Sequence, residues 1–119
     1  MARTLLIVDD HAGFRDFVST LLTDGGFDVC GEAADGESAI AAVERLRPDF
    51  VLLDVQLPGI DGFEVADRLA ELPQPPPVVL TSSRAASDYG SRLASAPVVG
   101  FVPKGELSSE ALSELLSPF

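Results

Sequence analysis

The sequence is poor in cysteine, in lysine and histidine, and in long apolar runs. Among its 119 residues, cysteine (Cys30), lysine (Lys104) and histidine (His11) each occur once. A single cysteine cannot form an internal disulfide, which is typical of proteins in a reducing compartment. No apolar run approaches the roughly 20 residues that cross a bilayer, and Asp9 and Asp10 interrupt the first run too early for a signal peptide. We therefore expect a soluble, cytoplasmic protein without a membrane segment.

The charge balance is acidic. The chain has 19 acidic and 8 basic residues, which gives a formal net charge of −11 at pH 7. Because phosphate contacts with nucleic acids require a basic face, the composition argues against direct nucleic-acid binding. We expect most of the acids to form a solvated surface. The length is that of one domain, so residues 1–119 are predicted to form a single domain.

Apolar runs and amphipathic segments alternate along the chain. The predicted strands are short apolar runs, at 5–8, 27–33, 51–55, 78–82 and 98–102, of which 27–33 is the weakest and is expected at a sheet edge. Helical spacing predicts helices at 14–22, 37–46, 61–72, 86–94 and from Ser108 onward. The segment 86–94 has little apolar material and is expected to be mobile. The alternation predicts an α/β, flavodoxin-like fold: a doubly wound, five-stranded parallel sheet of order 2-1-3-4-5 with five helices.

Polar side chains stand at the carboxyl ends of these predicted strands. They are Asp9, Asp10, Asp54, Thr81, Ser82 and Lys104. Because the carboxyl ends of parallel strands meet at the same edge of a sheet, we expect these side chains to lie close together. A lone carboxylate at the end of a buried strand is costly, so Asp54 is expected to be paired or to take part in chemistry.

Such a group of side chains suits phosphoryl transfer. Three neighbouring carboxylates raise one another's pKa unless a cation neutralises them. Oxygen ligands without a histidine or cysteine cluster favour a hard ion such as Mg²⁺. A carboxylate beside Mg²⁺ can attack phosphorus and form an aspartyl phosphate, while a lysine and a hydroxyl group bind the transferred group. The pattern predicts a site that accepts a phosphoryl group.

Four segments resemble the signature blocks of two-component response-regulator receiver domains. They are 8–11, 54–62, 79–83 and 100–104, and they occur in order over essentially the whole chain. The opening of the chain and residues 31–36 are most similar to receivers that precede a helix-turn-helix DNA-binding domain.

This resemblance implies roles for individual residues. Asp54 is then the phosphoacceptor, and Lys104 contacts the phosphoryl group. Asp10 binds Mg²⁺ directly and Asp9 largely through water, while Asp54 and the backbone carbonyl of Gln56 complete the metal site.

The resemblance leaves two candidates for the hydroxyl group that switches. Ser82 lies 22 residues before Lys104, the usual interval in the family, and is preferred, with Thr81 as the alternative. Phe101 matches the aromatic position that moves inward on activation.

Other positions near the site modulate it or depart from the family pattern. Gln56 and Arg84 occupy positions that tune hydrolysis, and Arg84 is expected to slow the loss of the phosphoryl group. Lys104 is followed by Gly105, where many receivers have proline, so the loop after the lysine is expected to be looser. His11 is expected to be a solvent-facing residue, not a ligand.

The function implied by the resemblance is a signalling switch and not a turnover enzyme. A sensor histidine kinase would phosphorylate Asp54, Ser82 and Lys104 would follow the new charge, and Phe101 would fill the vacated space. The surface formed by the fourth helix, fifth strand and fifth helix would then bind a partner or a second copy as a homodimer.

Two alternatives remain from the sequence. The chain could be an interaction module with this fold that is never phosphorylated. It could also be a Mg²⁺-dependent phosphohydrolase that forms an aspartyl phosphate. Those enzymes have an Asp-x-Asp motif at the end of the first strand, whereas the nucleophile candidate here ends the third strand.

Overall fold

The computed structural model describes residues 3–119, in which five strands and five α-helices alternate. They are β1 (Thr4–Val8), α1 (Ala12–Asp24), β2 (Asp28–Ala33), α2 (Gly36–Leu46), β3 (Phe50–Asp54), α3 (Gly62–Ala70), β4 (Val78–Ser82), α4 (Ser91–Ser95), β5 (Gly100–Pro103) and α5 (Ser109–Leu116). Neighbouring strands are parallel and follow the order β2-β1-β3-β4-β5. The flavodoxin-like fold predicted from the sequence is confirmed.

Helices cover both faces of the sheet. Side chains alternate along each strand, so every central strand contributes to two apolar clusters. Leu6, Leu53 and Leu80 pack on the face covered by α2 and α3, whereas Leu5 and Leu52 pack on the face covered by α1 and α5. Strands β3 and β4 are buried along their whole length, which explains their continuous apolar runs.

Three helices begin at side chains that cap them. The side chains of Asp35, Asp61 and Ser108 accept hydrogen bonds from the backbone N–H groups three residues later, at 2.8, 3.0 and 3.0 Å. These bonds satisfy donors that a helix leaves free in its first turn. The start of the last helix near Ser108, predicted from the sequence, is confirmed.

The prediction of a single helix at 86–94 is wrong. Residues Ala86–Asp88 form one turn of 3₁₀ helix, and α4 follows as a separate helix of five residues. Gly90 lies between them with a φ of +53°, a left-handed conformation that ends one turn before the next begins. The helix is interrupted because glycine accepts a backbone conformation that the apolar pattern does not reveal.

The start of α3 lies directly against the end of β3. A Cβ atom at Gly62 would overlap the backbone oxygen of Asp54 and lie 2.7 Å from the Cα atom of Val55. The N–H of Gly62 donates to the carbonyl of Val55 at 2.8 Å. Glycine at this position therefore allows the helix and the strand end to be in backbone contact.

All the helices are short. The longest, α1, has 13 residues, whereas roughly 20 apolar residues are required to cross the bilayer core. Across residues 3–119, no helix combines the length and the apolar character that a membrane span requires.

Candidate functional site

The carboxyl edge of the sheet brings together two buried acids and the single lysine. Asp9 follows β1 and is 1% exposed, and Asp54 ends β3 and is 3% exposed. Lys104 follows β5 and places Nζ 2.6 Å from Asp9 Oδ2 and 3.3 Å from Asp54 Oδ2. One ammonium group thus contacts two buried carboxylates, as the strand-end argument predicted.

Burial dominates the electrostatics of this group. Desolvation of the carboxylate raises the pKa of Asp54 to about 6; the Lys104 ammonium opposes this increase, and the negative charge of Asp9 adds to it. Burial alone would lower the pKa of Lys104, but its contacts with the two acids outweigh burial and raise it. With a pKa of about 6, Asp54 is mostly ionised at neutral pH and lies beside the Lys104 ammonium.

The donor atoms fit a hard divalent cation. Asp9 Oδ2 is buried, and Lys104 Nζ lies 2.6 Å from it. Oxygen atoms of Asp9 and Asp10 and a ring nitrogen of His11 lie within 4.8 Å of one another. The neighbouring carboxylates of Asp9 and Asp10 offer oxygen ligands of the kind that Mg²⁺ prefers.

His11 is exposed but remains in contact with the acids. Its side chain is 72% exposed, and Nδ1 lies 3.0 Å from Asp10 Oδ1 and 3.3 Å from Asp9 Oδ1. Its backbone N–H also donates to Asp9 Oδ1 at 2.8 Å. The prediction of a solvent-facing residue is confirmed, and the contacts add that it adjoins both acids.

The two candidate hydroxyl groups have different partners. Thr81 lies opposite Asp54 in the strand register, but its Oγ1 donates to the carbonyl of Val102 at 2.7 Å. Ser82 Oγ lies 2.6 Å from the hydroxyl of Tyr89, and Ser82 is fully buried. The Thr81 hydroxyl therefore links two strands, whereas that of Ser82 contacts the segment that follows β4.

The remaining predicted residues surround this centre. The backbone N–H of Gln56 donates to Asp54 Oδ1 at 3.3 Å. Phe101 is half-buried on β5, and its ring centroid lies 6.0 Å from that of Tyr89 in an edge-to-face arrangement. Arg84 is exposed, and its side chain forms no ion pair within residues 3–119.

Sequence reasoning missed the support of Lys104 by Phe14. The Nζ atom lies 4.2 Å from the centre of the Phe14 ring, a cation–π contact. Residues Lys104–Glu106 also form a 3₁₀ turn. The lysine is thus held by two carboxylates and a ring although Gly105 replaces the proline. No local sequence signal revealed this contact, because Phe14 and Lys104 are 90 residues apart in the sequence.

Two further residues at the site were also missed. Arg15 donates from Nη1 to the backbone carbonyl of Asp9 at 2.6 Å and from Nε to Glu32 at 3.0 Å, so it braces the end of β1. Tyr89 lines an open cleft of about 520 Å³ together with Asp10. No sequence signal placed Tyr89 there, because its position depends on the interrupted helix before α4.

The comparisons with known proteins agree with this geometry. The family described as response regulator receiver domain matches residues 5–116. The chain belongs to this family. A solved structure of a LuxR-family DNA-binding response regulator from Staphylococcus aureus superposes on this receiver with a TM-score of 0.85 and 25% identity, covering 98% of this chain and 97% of that one.

Curated relatives of the receiver are longer proteins. The DNA-binding transcriptional activator EvgA of Escherichia coli K12 is 33% identical over 101 residues, which are 85% of this chain and 50% of EvgA. The protein-glutamate methylesterase/protein-glutamine glutaminase of Haloarcula marismortui is 36% identical over 108 residues, 88% of this chain and 29% of that protein. The receiver thus spans half or less of these two relatives, one of which is a transcriptional activator and the other an enzyme.

Proposed function

We propose that this receiver is a phosphorylation-dependent switch in which Asp54 accepts a phosphoryl group from a sensor histidine kinase. The observation that carries the proposal is the buried Asp54 carboxylate, 3.3 Å from Lys104 Nζ and beside the buried acid Asp9. Membership of the receiver family supports the same reading, since this family acts in two-component signalling. The proposal makes the receiver a phosphoacceptor in the cytoplasm and not an enzyme that turns over a substrate.

The proposed transfer is a nucleophilic displacement. A carboxylate oxygen of Asp54 attacks the phosphorus atom of a phosphohistidine, and the phosphorus–nitrogen bond breaks as the phosphorus–oxygen bond forms. The electron pair of the broken bond returns to the imidazole, which takes up a proton. A pKa of about 6 leaves Asp54 mostly ionised at neutral pH, as a nucleophile requires. Lys104 lies close enough to neutralise part of the charge on the transferred group.

The same acids would hold a Mg²⁺ ion. Asp9, Asp10, Asp54 and the backbone carbonyl of Gln56 are the proposed ligands. The buried carboxylates of Asp9 and Asp54 and the all-oxygen donor set support this assignment. A bound Mg²⁺ ion would neutralise the carboxylates and the oxygens of the incoming phosphoryl group.

Phosphorylation of Asp54 would change the conformation of another face of the domain. In the proposal, Ser82 and Lys104 move to the phosphoryl group, Phe101 turns inward, and Arg84 slows hydrolysis together with Gln56. Helix α4 has no buried residue, whereas each other α-helix has at least two, so α4 is held by the least buried apolar surface. The surface of α4, β5 and α5 would then bind a partner or form a homodimer, without direct contact with nucleic acid.

Intact mass measurement tests this proposal. The receiver is incubated with acetyl phosphate and Mg²⁺, beside Asp54→Asn and a matched control, Asp67→Asn, that removes an exposed carboxylate on α3. We expect the parent and Asp67→Asn to gain one phosphoryl group. We expect no gain in Asp54→Asn or in the presence of EDTA.

The other outcomes separate the two alternatives. No mass gain in the parent would contradict the proposal and favour an interaction module that is not phosphorylated. Sustained release of p-nitrophenol from p-nitrophenyl phosphate, abolished by Asp54→Asn, would instead favour a phosphohydrolase.

A further inference from the structure

The hydroxyl proton of Ser82 already has an acceptor. Ser82 Oγ accepts a hydrogen bond from the backbone N–H of Arg84 at 3.0 Å, and it lies 2.6 Å from the hydroxyl oxygen of Tyr89. A serine hydroxyl has one proton to donate. Because Ser82 is fully buried, its hydroxyl proton requires an acceptor within the protein. Within residues 3–119, the hydroxyl oxygen of Tyr89 is the acceptor that the structure provides.

Tyr89 is also in contact with the aromatic residue assigned to the switch. Its ring lies edge-to-face with that of Phe101 at 6.0 Å and with that of Phe63 at 5.4 Å. Tyr89 occupies the position between the 3₁₀ turn Ala86–Asp88 and Gly90, where the chain is interrupted before α4. A movement of this ring therefore reaches both β5 and the start of α4.

We propose that Tyr89 is a positioning residue that holds Ser82 away from Asp54 until a phosphoryl group is present. This inference rests on the proposed function. When Asp54 carries the phosphoryl group, Ser82 donates its proton to a phosphoryl oxygen instead, and the bond to Tyr89 breaks. Tyr89, no longer bonded to Ser82, shifts together with Phe101. The single tyrosine of the chain thus couples the hydroxyl group to the aromatic switch.

The variant Tyr89→Phe tests the hydrogen bond because it keeps the ring and removes only the hydroxyl group. The probe is beryllofluoride with Mg²⁺, a stable mimic of the aspartyl phosphate, and its affinity is measured by calorimetry. We expect Tyr89→Phe to bind beryllofluoride about 2- to 10-fold more tightly than the parent, which is the range expected from loss of one neutral hydrogen bond that favours the resting state. Urea unfolding confirms that the variant is folded.

The Ser82→Ala background separates a positioning role from a structural one. If Tyr89 acts through the Ser82 hydroxyl, Tyr89→Phe has no effect on beryllofluoride affinity when Ser82 is already alanine. An equal gain in both backgrounds would overturn the inference. Unchanged or weaker binding by Tyr89→Phe would do the same.

The parent protein distinguishes this inference from the proposed function. A parent that binds beryllofluoride and gains a phosphoryl group, with a Tyr89→Phe variant that behaves identically, refutes the role of Tyr89 alone. A parent that does neither refutes phosphorylation of Asp54, on which the role of Tyr89 depends.

Discussion

Replacing Asp54 by asparagine should make the metal-free receiver more stable at alkaline pH. The folded protein raises the pKa of Asp54 from the ordinary 3.8 to about 6 because burial penalises the carboxylate. Below pH 3.8 the group is protonated in both states and has no effect on stability. Above pH 6 it is ionised in both, and the folded state is destabilised by about 3 kcal/mol, since one pKa unit corresponds to about 1.4 kcal/mol. Asparagine has nearly the same size and no charge, so it avoids this penalty.

Urea unfolding in EDTA measures the difference. The chain has no tryptophan, so unfolding is followed by far-ultraviolet circular dichroism. The free energy of unfolding of Asp54→Asn should exceed that of the parent by about 3 kcal/mol at pH 8 and by about 1 kcal/mol at pH 4.5. The free energy of unfolding of Asp67→Asn should stay within about 0.5 kcal/mol of that of the parent at both pH values, because the Asp67 carboxylate is exposed. An Asp54→Asn variant no more stable than the parent at pH 8 would refute the reasoning.

Two further substitutions test the surroundings of the site. Phe14→Leu removes the ring beneath Lys104 Nζ and should slow phosphorylation of Asp54 by acetyl phosphate about 2- to 5-fold, the rate effect of about 0.5–1 kcal/mol. Phe17→Leu, on the exposed side of α1, is the matched control. Equal phosphorylation rates in the two variants would count against a role for the Phe14 ring. Arg84→Ala should accelerate phosphate release from the phosphorylated protein, measured as a time course, and a variant that decays no faster than the parent would argue against shielding by Arg84.

The sheet and the central acids could be predicted because their signals are local. Three of the strands, β1, β3 and β4, are continuous apolar runs, and each ends in or just before polar residues. Parallel pairing then places those residues at one edge, whatever the details of packing. The contact of Lys104 with Asp9 and Asp54 followed from this topology alone.

The segment between β4 and β5 could not be predicted in the same way. Its helix is divided by the left-handed backbone of Gly90, and neither of its two pieces contains a fully buried residue. Without an apolar stripe, the pattern carries no information on which side chains face the site. The bond between Tyr89 and Ser82 depends on that local geometry, and it became visible only in the structure.

The backbone contact at Gly62 determines which way the domain can respond. A Cβ atom there would overlap the backbone of Asp54, and the N–H of Gly62 is bonded to Val55. The start of α3 is therefore in backbone contact with the end of β3, and a displacement of Gly62 toward the strand would have to move the main chain of Asp54 and Val55. The segment after β4 has weak packing instead. If Asp54 is phosphorylated as proposed, we expect the segment after β4 to move more than the start of α3, because the main chain of α3 is in contact with β3.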